Sequence, residues 1–177
     1  MASLKSCHEV LLQFLPCRPA EGPAFRQPFD ENARMATHSV NTDSPALKAS
    51  QSSWACVQAH DRTGWLALMA DDAVIEDPIG PSITNPDGLG VRGKDAIATF
   101  YDTNIAPNQL TITCEQTFPS SSPDEIAHIL ILHSRFDGGF TSTVRGVFTY
   151  RVNEAGLIAQ MRGYWNIEAM VFKQEDA

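Results

Sequence analysis

The apolar residues of this 177-residue chain change period at Pro107, and that change decides most of its architecture. Upstream, the spacing is helical. Ser44-Pro45 reads as a helix opening, a capping hydroxyl followed by proline at the first helical position. Leu47, Trp54 and Val57 then recur on one helical face. Asp61 reads as a second cap, leading into a short apolar helix through Trp65-Leu66-Ala67-Leu68-Met69 that is expected to be largely buried. A third helix is predicted over roughly 94–104, with Ile97, Phe100, Tyr101 and Ile105 as its apolar stripe. Downstream, alternate residues are apolar. Leu110, Ile112 and Cys114 open a strand, residues 126–136 form a second, and Asp137-Gly138-Gly139 is hairpin chemistry. Over 140–152, Val144, Gly146, Phe148, Tyr150 and Val152 share one face. Over 157–167, Leu157, Ala159, Met161, Gly163, Trp165 and Ile167 do the same. Helices first and an antiparallel meander after them imply an α+β fold, with helices packed on one face of a sheet. Gly146 and Gly163, inside strands, are expected to mark bends or bulges where the sheet curls.

Charge narrows the function classes. A formal net charge of −8 argues against nucleic acid as a partner, since a phosphate backbone requires a basic patch. No apolar run is long enough to span a membrane. The four cysteines show no C-x-x-C spacing and read as small thiols in a reducing, cytoplasmic setting. Pro16, Pro19, Pro23 and Pro28 with mixed charges mark residues 1–43 as an extension outside the fold. The domain is expected over 44–172, with 173–177 as a tail.

The chemistry concentrates in Asp71-Asp72-Ala73-Val74-Ile75-Glu76-Asp77-Pro78-Ile79-Gly80. Val74 and Ile75 favour a strand, and Pro78 biases Asp77 towards extended backbone. Alternation sends Glu76 and Asp77 to opposite faces, one outward and one inward. From these residues alone, Asp77 is either a strand-end aspartate capping a turn or an acid aimed into the interior. The loop from Pro78 to Gly93 is long enough to border a site. Asp71-Asp72 reads as a solvated turn. His128 and His133 lie an odd number apart in one strand and face opposite ways; His60 reads as a capping or surface residue. No spacing suits a metal cluster, so no metal site is expected.

From Ala70 through Gly80 the chain resembles the strand carrying the catalytic aspartate of Δ5-3-ketosteroid isomerases, in the NTF2-like (SnoaL-like) superfamily. The resemblance runs from about Ser53 to Ile167, and is strongest to the mycobacterial steroid-isomerase-like branch, along almost all of 44–172. It implies a cone in which N-terminal helices close a strongly curved, mostly antiparallel sheet around a pocket. It places Asp77 on the family's general base. It puts Trp165 on a pocket-lining aromatic and Tyr101 on a tyrosine of the active-site hydrogen bonds. It implies a double-bond-transposing isomerase without cofactor, a steroid-like ligand, a role in lipid metabolism and a homodimer. An apolar pocket raises a carboxyl's pKa, and ketosteroid isomerases are an established case of such tuning.

The chain departs from the family at the oxygen-binding groups. Ser53 stands where the family has its tyrosine, and Phe148 where it has a protonated aspartate. Losing one such donor typically costs ~10²–10³ in rate. The expected site is therefore Asp77 as base, Tyr101 and Ser53 polarising the carbonyl, and Trp54, Phe100, Phe148 and Trp165 holding the apolar skeleton. Substitute donors are the hydroxyl of Tyr150 and the indole N–H of Trp54 or Trp165. The other readings are a non-catalytic binder of hydrophobic small molecules, a lyase or hydrolase on the same scaffold, and a dimerisation module with a filled interior.

Overall fold

The computed structural model describes residues 43–174. The extension expected over 1–43 lies, apart from Asp43, outside the described residues, as do 175–177.

Helix α1, Pro45–Gln58, starts where the capping signal places it. The Ser44 hydroxyl accepts from the Leu47 amide at 3.3 Å and donates to the Pro123 carbonyl at 2.7 Å. It thereby fastens the helix to the turn at 122–124. Helix α2, Arg62–Ala67, is capped by Asp61, as the sequence implies. It is less buried than expected. Only Trp65 is fully enclosed, Leu66 and Leu68 are partly so, and Met69 already belongs to strand β1, Met69–Glu76. Asp71 and Asp72 are exposed, but they lie in that strand at a register shift rather than in a turn. The shift lets both acids reach water from a strand whose other residues are needed inside.

The Pro78–Gly93 connection holds a two-residue strand, β2 at Val91–Arg92, which pairs with β1. Helix α3, Lys94–Phe100, continues as a wider π-type turn over Tyr101–Ile105, closed by the Ala106 amide on the Tyr101 carbonyl at 2.9 Å. Strands β3 (Gln109–Pro119), β4 (Glu125–Arg135), β5 (Phe140–Val152) and β6 (Ile158–Tyr164) follow as an antiparallel meander. A short β7, Val171–Gln174, was not foreseen and carries the fold two residues past 172.

The sheet is seven-stranded, in the order β2-β1-β6-β5-β4-β3, and the β1–β6 pair is parallel. Strand β5 pairs with β4 along its length. Its other edge is shared, with β6 taking residues 147–152 and β7 taking 140–143. The helices lie on the inward face, where α1 packs against β3, β4 and β5 and α3 packs against β1. Val144, Phe148, Tyr150 and Val152 are buried there, as alternation implies. The curved sheet does not close into a barrel. No helix of the described residues is long and apolar enough to cross a membrane.

Neither strand glycine marks a register shift. The register shifts fall at Met69/Val74, Cys114/Gln116 and Arg151/Val152. Gly146 instead lies in the gap between β6 and β7 on the β5 edge. A Cβ there would sit 2.9 Å from both the Trp165 Cβ and the Tyr164 carbonyl oxygen. A Cβ on Gly163 would collide with the Asp77 Oδ1 and lie 2.8 Å from the Trp165 Nε1. Both glycines mark close approach.

Candidate active site

Between the helices and the concave face lies a cavity of about 460 Å³. Its wall is mostly apolar, with Val57, Phe100, Leu130, Val144, Phe148 and Met161 among its residues. The exposed side chains of Ile83 and Phe172 belong to its outer lining.

Asp77 follows the last residue of β1 and faces this cavity, while Glu76 points the other way. Glu76 accepts from the Arg162 Nε at 2.8 Å on the outer face. The Asp77 Oδ1 accepts from the Trp165 Nε1 at 2.5 Å, in the space that Gly163 leaves open. Burial pushes the Asp77 carboxyl up to about 6, against the opposing pull of the indole N–H. An acid with that value is charged at neutral pH yet holds a proton far better than an exposed aspartate, as reversible proton transfer requires.

Ser53, Trp54, Phe100, Phe148 and Trp165 all line the cavity, as expected. Tyr101 does not. Its ring lies behind Trp65, with centroids 5.3 Å apart, and its buried hydroxyl has no hydrogen-bond partner among the described residues. Trp65 stands against the tyrosine ring, and its Nε1 donates to the Ser53 Oγ at 2.9 Å. Trp65 was read only as a buried helix residue; its part in the site has no signal in the helical pattern. Tyr150, named among the substitute donors, is buried in the wall and accepts from the Trp54 Nε1 at 2.9 Å. Neither Trp54 nor Trp165 has its N–H left for a ligand.

The histidines fall as alternation implies. His133 faces outward and meets Thr143 at 2.9 Å. His128 is buried between Ser50 (3.1 Å) and Thr117 (3.0 Å). The Ser50 hydroxyl donates to the Leu47 carbonyl, so it accepts from the His128 Nε2, and Nδ1 is left as the acceptor. Burial holds His128 down to about 4, so it is neutral. Its ring stands edge-on to Trp54, centroids 4.8 Å apart, and braces that indole. Asp77 is the one carboxylate in the cavity wall among the described residues, and no histidine lines it.

Residues 46–173 match the nuclear transport factor 2 (NTF2) domain, and the chain belongs to that family, in its mycobacterial ketosteroid-isomerase-like branch. The crystal structure of Rv0760c from Mycobacterium tuberculosis is 76% identical, with a TM-score of 0.73 over 75% of this chain and 98% of that one. The Δ5-3-ketosteroid isomerase from Mycobacterium sp. is 68% identical, with a TM-score of 0.72 over 73% and 99%. Rv0760c has also been solved in complex with estradiol-17β-hemisuccinate, at 77% identity and a TM-score of 0.71 over 72% and 98%. No curated protein sequence matches.

Proposed function

We propose that the protein is a steroid Δ-isomerase-type enzyme acting on a 3-oxo-steroid or a similar flat polycyclic ketone. The carrying observation is Asp77, pushed up to about 6 within a mostly apolar wall. Asp77 takes a proton from the carbon alpha to the carbonyl. The C–H electron pair becomes a C=C bond and the carbonyl π pair moves to oxygen. The oxygen pair then returns, the double bond shifts into conjugation, and Asp77 delivers the same proton two carbons away. Nothing is oxidised or reduced overall, so the step needs no cofactor. Phe100, Phe148 and Trp165 hold the skeleton against the carboxyl. The isomerase at 68% identity and the relative solved with a steroid derivative support this reading.

Conversion of a Δ5-3-ketosteroid to the conjugated enone is the test. The wild type should turn over, and Asp77→Asn should lose at least ~10²-fold in kcat. An inert wild type, or an equally fast variant, would sink the proposal. A second reading is favoured by Ser53 and Phe148 at the family's donor positions. It is a non-catalytic binder, and steroid binding without turnover would support it. Among the described residues no second acid or histidine lines the cavity with Asp77, as a hydrolase or lyase would use, and the cavity itself speaks against a filled dimerisation module.

The same reading includes a cytoplasmic location, suited to the free thiols of Cys56 and Cys114. It also includes a homodimer through the outer face of the sheet, where Val147 and Tyr164 are exposed side by side. Sedimentation at micromolar concentration should give twice the chain mass; a monomer would remove that part.

A further inference from the structure

Two indole N–H groups in or beside the cavity are engaged by hydroxyls. Trp54 donates to the Tyr150 hydroxyl and Trp65 to the Ser53 Oγ, each at 2.9 Å. An indole can only donate. Each bond therefore fixes the hydroxyl oxygen as acceptor and leaves that hydroxyl's own proton to be donated elsewhere. Tyr150 and Ser53 are 4% and 2% exposed, and both line the cavity that holds Asp77. No protein acceptor for either proton is found among the described residues. The register brings Tyr150 to the face that Asp77 occupies, and Ser53 lines the same cavity from α1. Tyr150 pairs with Met161 and Met161 with Ile75, while Phe148 and Gly163 form the next inward row, beside Asp77. Burial first, and the Asp77 charge less so, hold the proton on the Tyr150 phenol against the pull of Trp54.

We propose that Tyr150 and Ser53 form the oxygen-binding end of the site, donating two hydrogen bonds to one carbonyl or phenol oxygen of a ligand whose reacting carbons lie against Asp77. This rests on the proton-transfer reading above. Trp54 and Trp65 are positioning residues. They aim the two protons and, by polarising the O–H bonds, strengthen them as donors. As Asp77 removes the proton, negative charge builds on the oxygen between the hydroxyls. The donors missing from positions 53 and 148 are thus replaced by a tyrosine two residues further along β5 and by the serine itself. An oxygen-free ligand would leave both protons unpaired in an apolar wall, which gives the site its discrimination.

The test compares calorimetric binding of estradiol with that of 3-deoxyestradiol, and steady-state turnover of a Δ5-3-ketosteroid. The wild type should bind estradiol about 10-fold or more tighter than the deoxy analogue, and Tyr150→Phe should bring the two within about twofold. In turnover, Tyr150→Phe should lower kcat by about 10²–10³-fold and raise KM by no more than about 10-fold. Trp54→Phe should lower kcat and the discrimination together, which loss of packing alone would not do. Ser53→Ala, which adds no bulk, should reduce both readouts in the same direction and decides the matter if Tyr150→Phe fails to fold. Wild-type discrimination and wild-type kcat in the folded Tyr150 and Ser53 variants would overturn the proposal. The two readings fail separately. Absence of turnover in the wild type defeats the isomerase reading while the binding ratio still decides the oxygen site. Loss of turnover in Asp77→Asn but not in Tyr150→Phe or Ser53→Ala defeats this inference alone.

Discussion

At the scale of single residues, the site depends on a side chain that is not there. Asp77 and Trp165 meet over Gly163, and a methyl group on that backbone would overlap both. Gly163→Ala should therefore push the carboxylate and the indole apart. The cost should be about 1–3 kcal/mol of stability, in the range of other overpacked interiors. On the isomerase reading, turnover should fall far more than steroid binding, because the proposed base is displaced while the apolar wall remains. Urea unfolding beside turnover checks this; an alanine variant with wild-type stability and rate would show that the space is not needed. Asp77 itself was legible. The Val74-Ile75 pair announces the strand, Pro78 its end, and alternation requires Glu76 and Asp77 to part. Which of the two faced inward was settled by Arg162, 86 residues away, pairing with Glu76 on the outside. Tyr101 was misplaced for a related reason. Its apolar stripe was read correctly, but a stripe does not say which neighbour fills the space in front of it, and Trp65 does.

At the scale of elements, periodicity did well wherever one face is buried and the other wet. Strand β5 begins and ends where its alternation does, and the Ser44-Pro45 and Asp61 caps start their helices. It did poorly where an element is held by pairing alone. Val91–Arg92 and Val171–Gln174 are too short to show a period, and every residue of the latter is exposed. Likewise, no alternation within β5 could reveal that two different strands share one of its edges, leaving a gap at residues 144–146 that admits Trp165. The Trp54–Tyr150 and Trp65–Ser53 bonds were illegible for the same reason. They depend on how α1 crosses the sheet and abuts α2, over separations of 96 and 12 residues.

At the scale of the whole molecule, two buried groups pull the acid response in opposite directions. Asp77 titrates near 6 in the fold against 3.8 for the ordinary group. Between those values the folded chain holds more protons than the unfolded one, so its stability falls as pH rises, by about 3 kcal/mol in all. His128 titrates near 4 against 6.5. There the unfolded chain holds more protons, so stability rises with pH, also by about 3 kcal/mol. The windows nearly coincide, and the wild type should be almost indifferent to pH between about 4 and 6.5 on account of these groups. Asp77→Asn removes one slope. Its stability relative to wild type should increase by about 3 kcal/mol from pH 4 to pH 7. Denaturant titrations at several pH values would show this, and parallel curves for the two proteins would refute it.

The back-to-back placement of Glu76 and Asp77 carries over to reagent chemistry. Adjacent in the chain, one carboxylate is clasped by a guanidinium in contact with water and the other is lodged among aromatic rings. A greasy carbodiimide therefore meets very different targets at neighbouring positions. It can enter the apolar cavity and find there a carboxyl that burial favours in its protonated form, so covalent labelling can address Asp77 without any engineered handle.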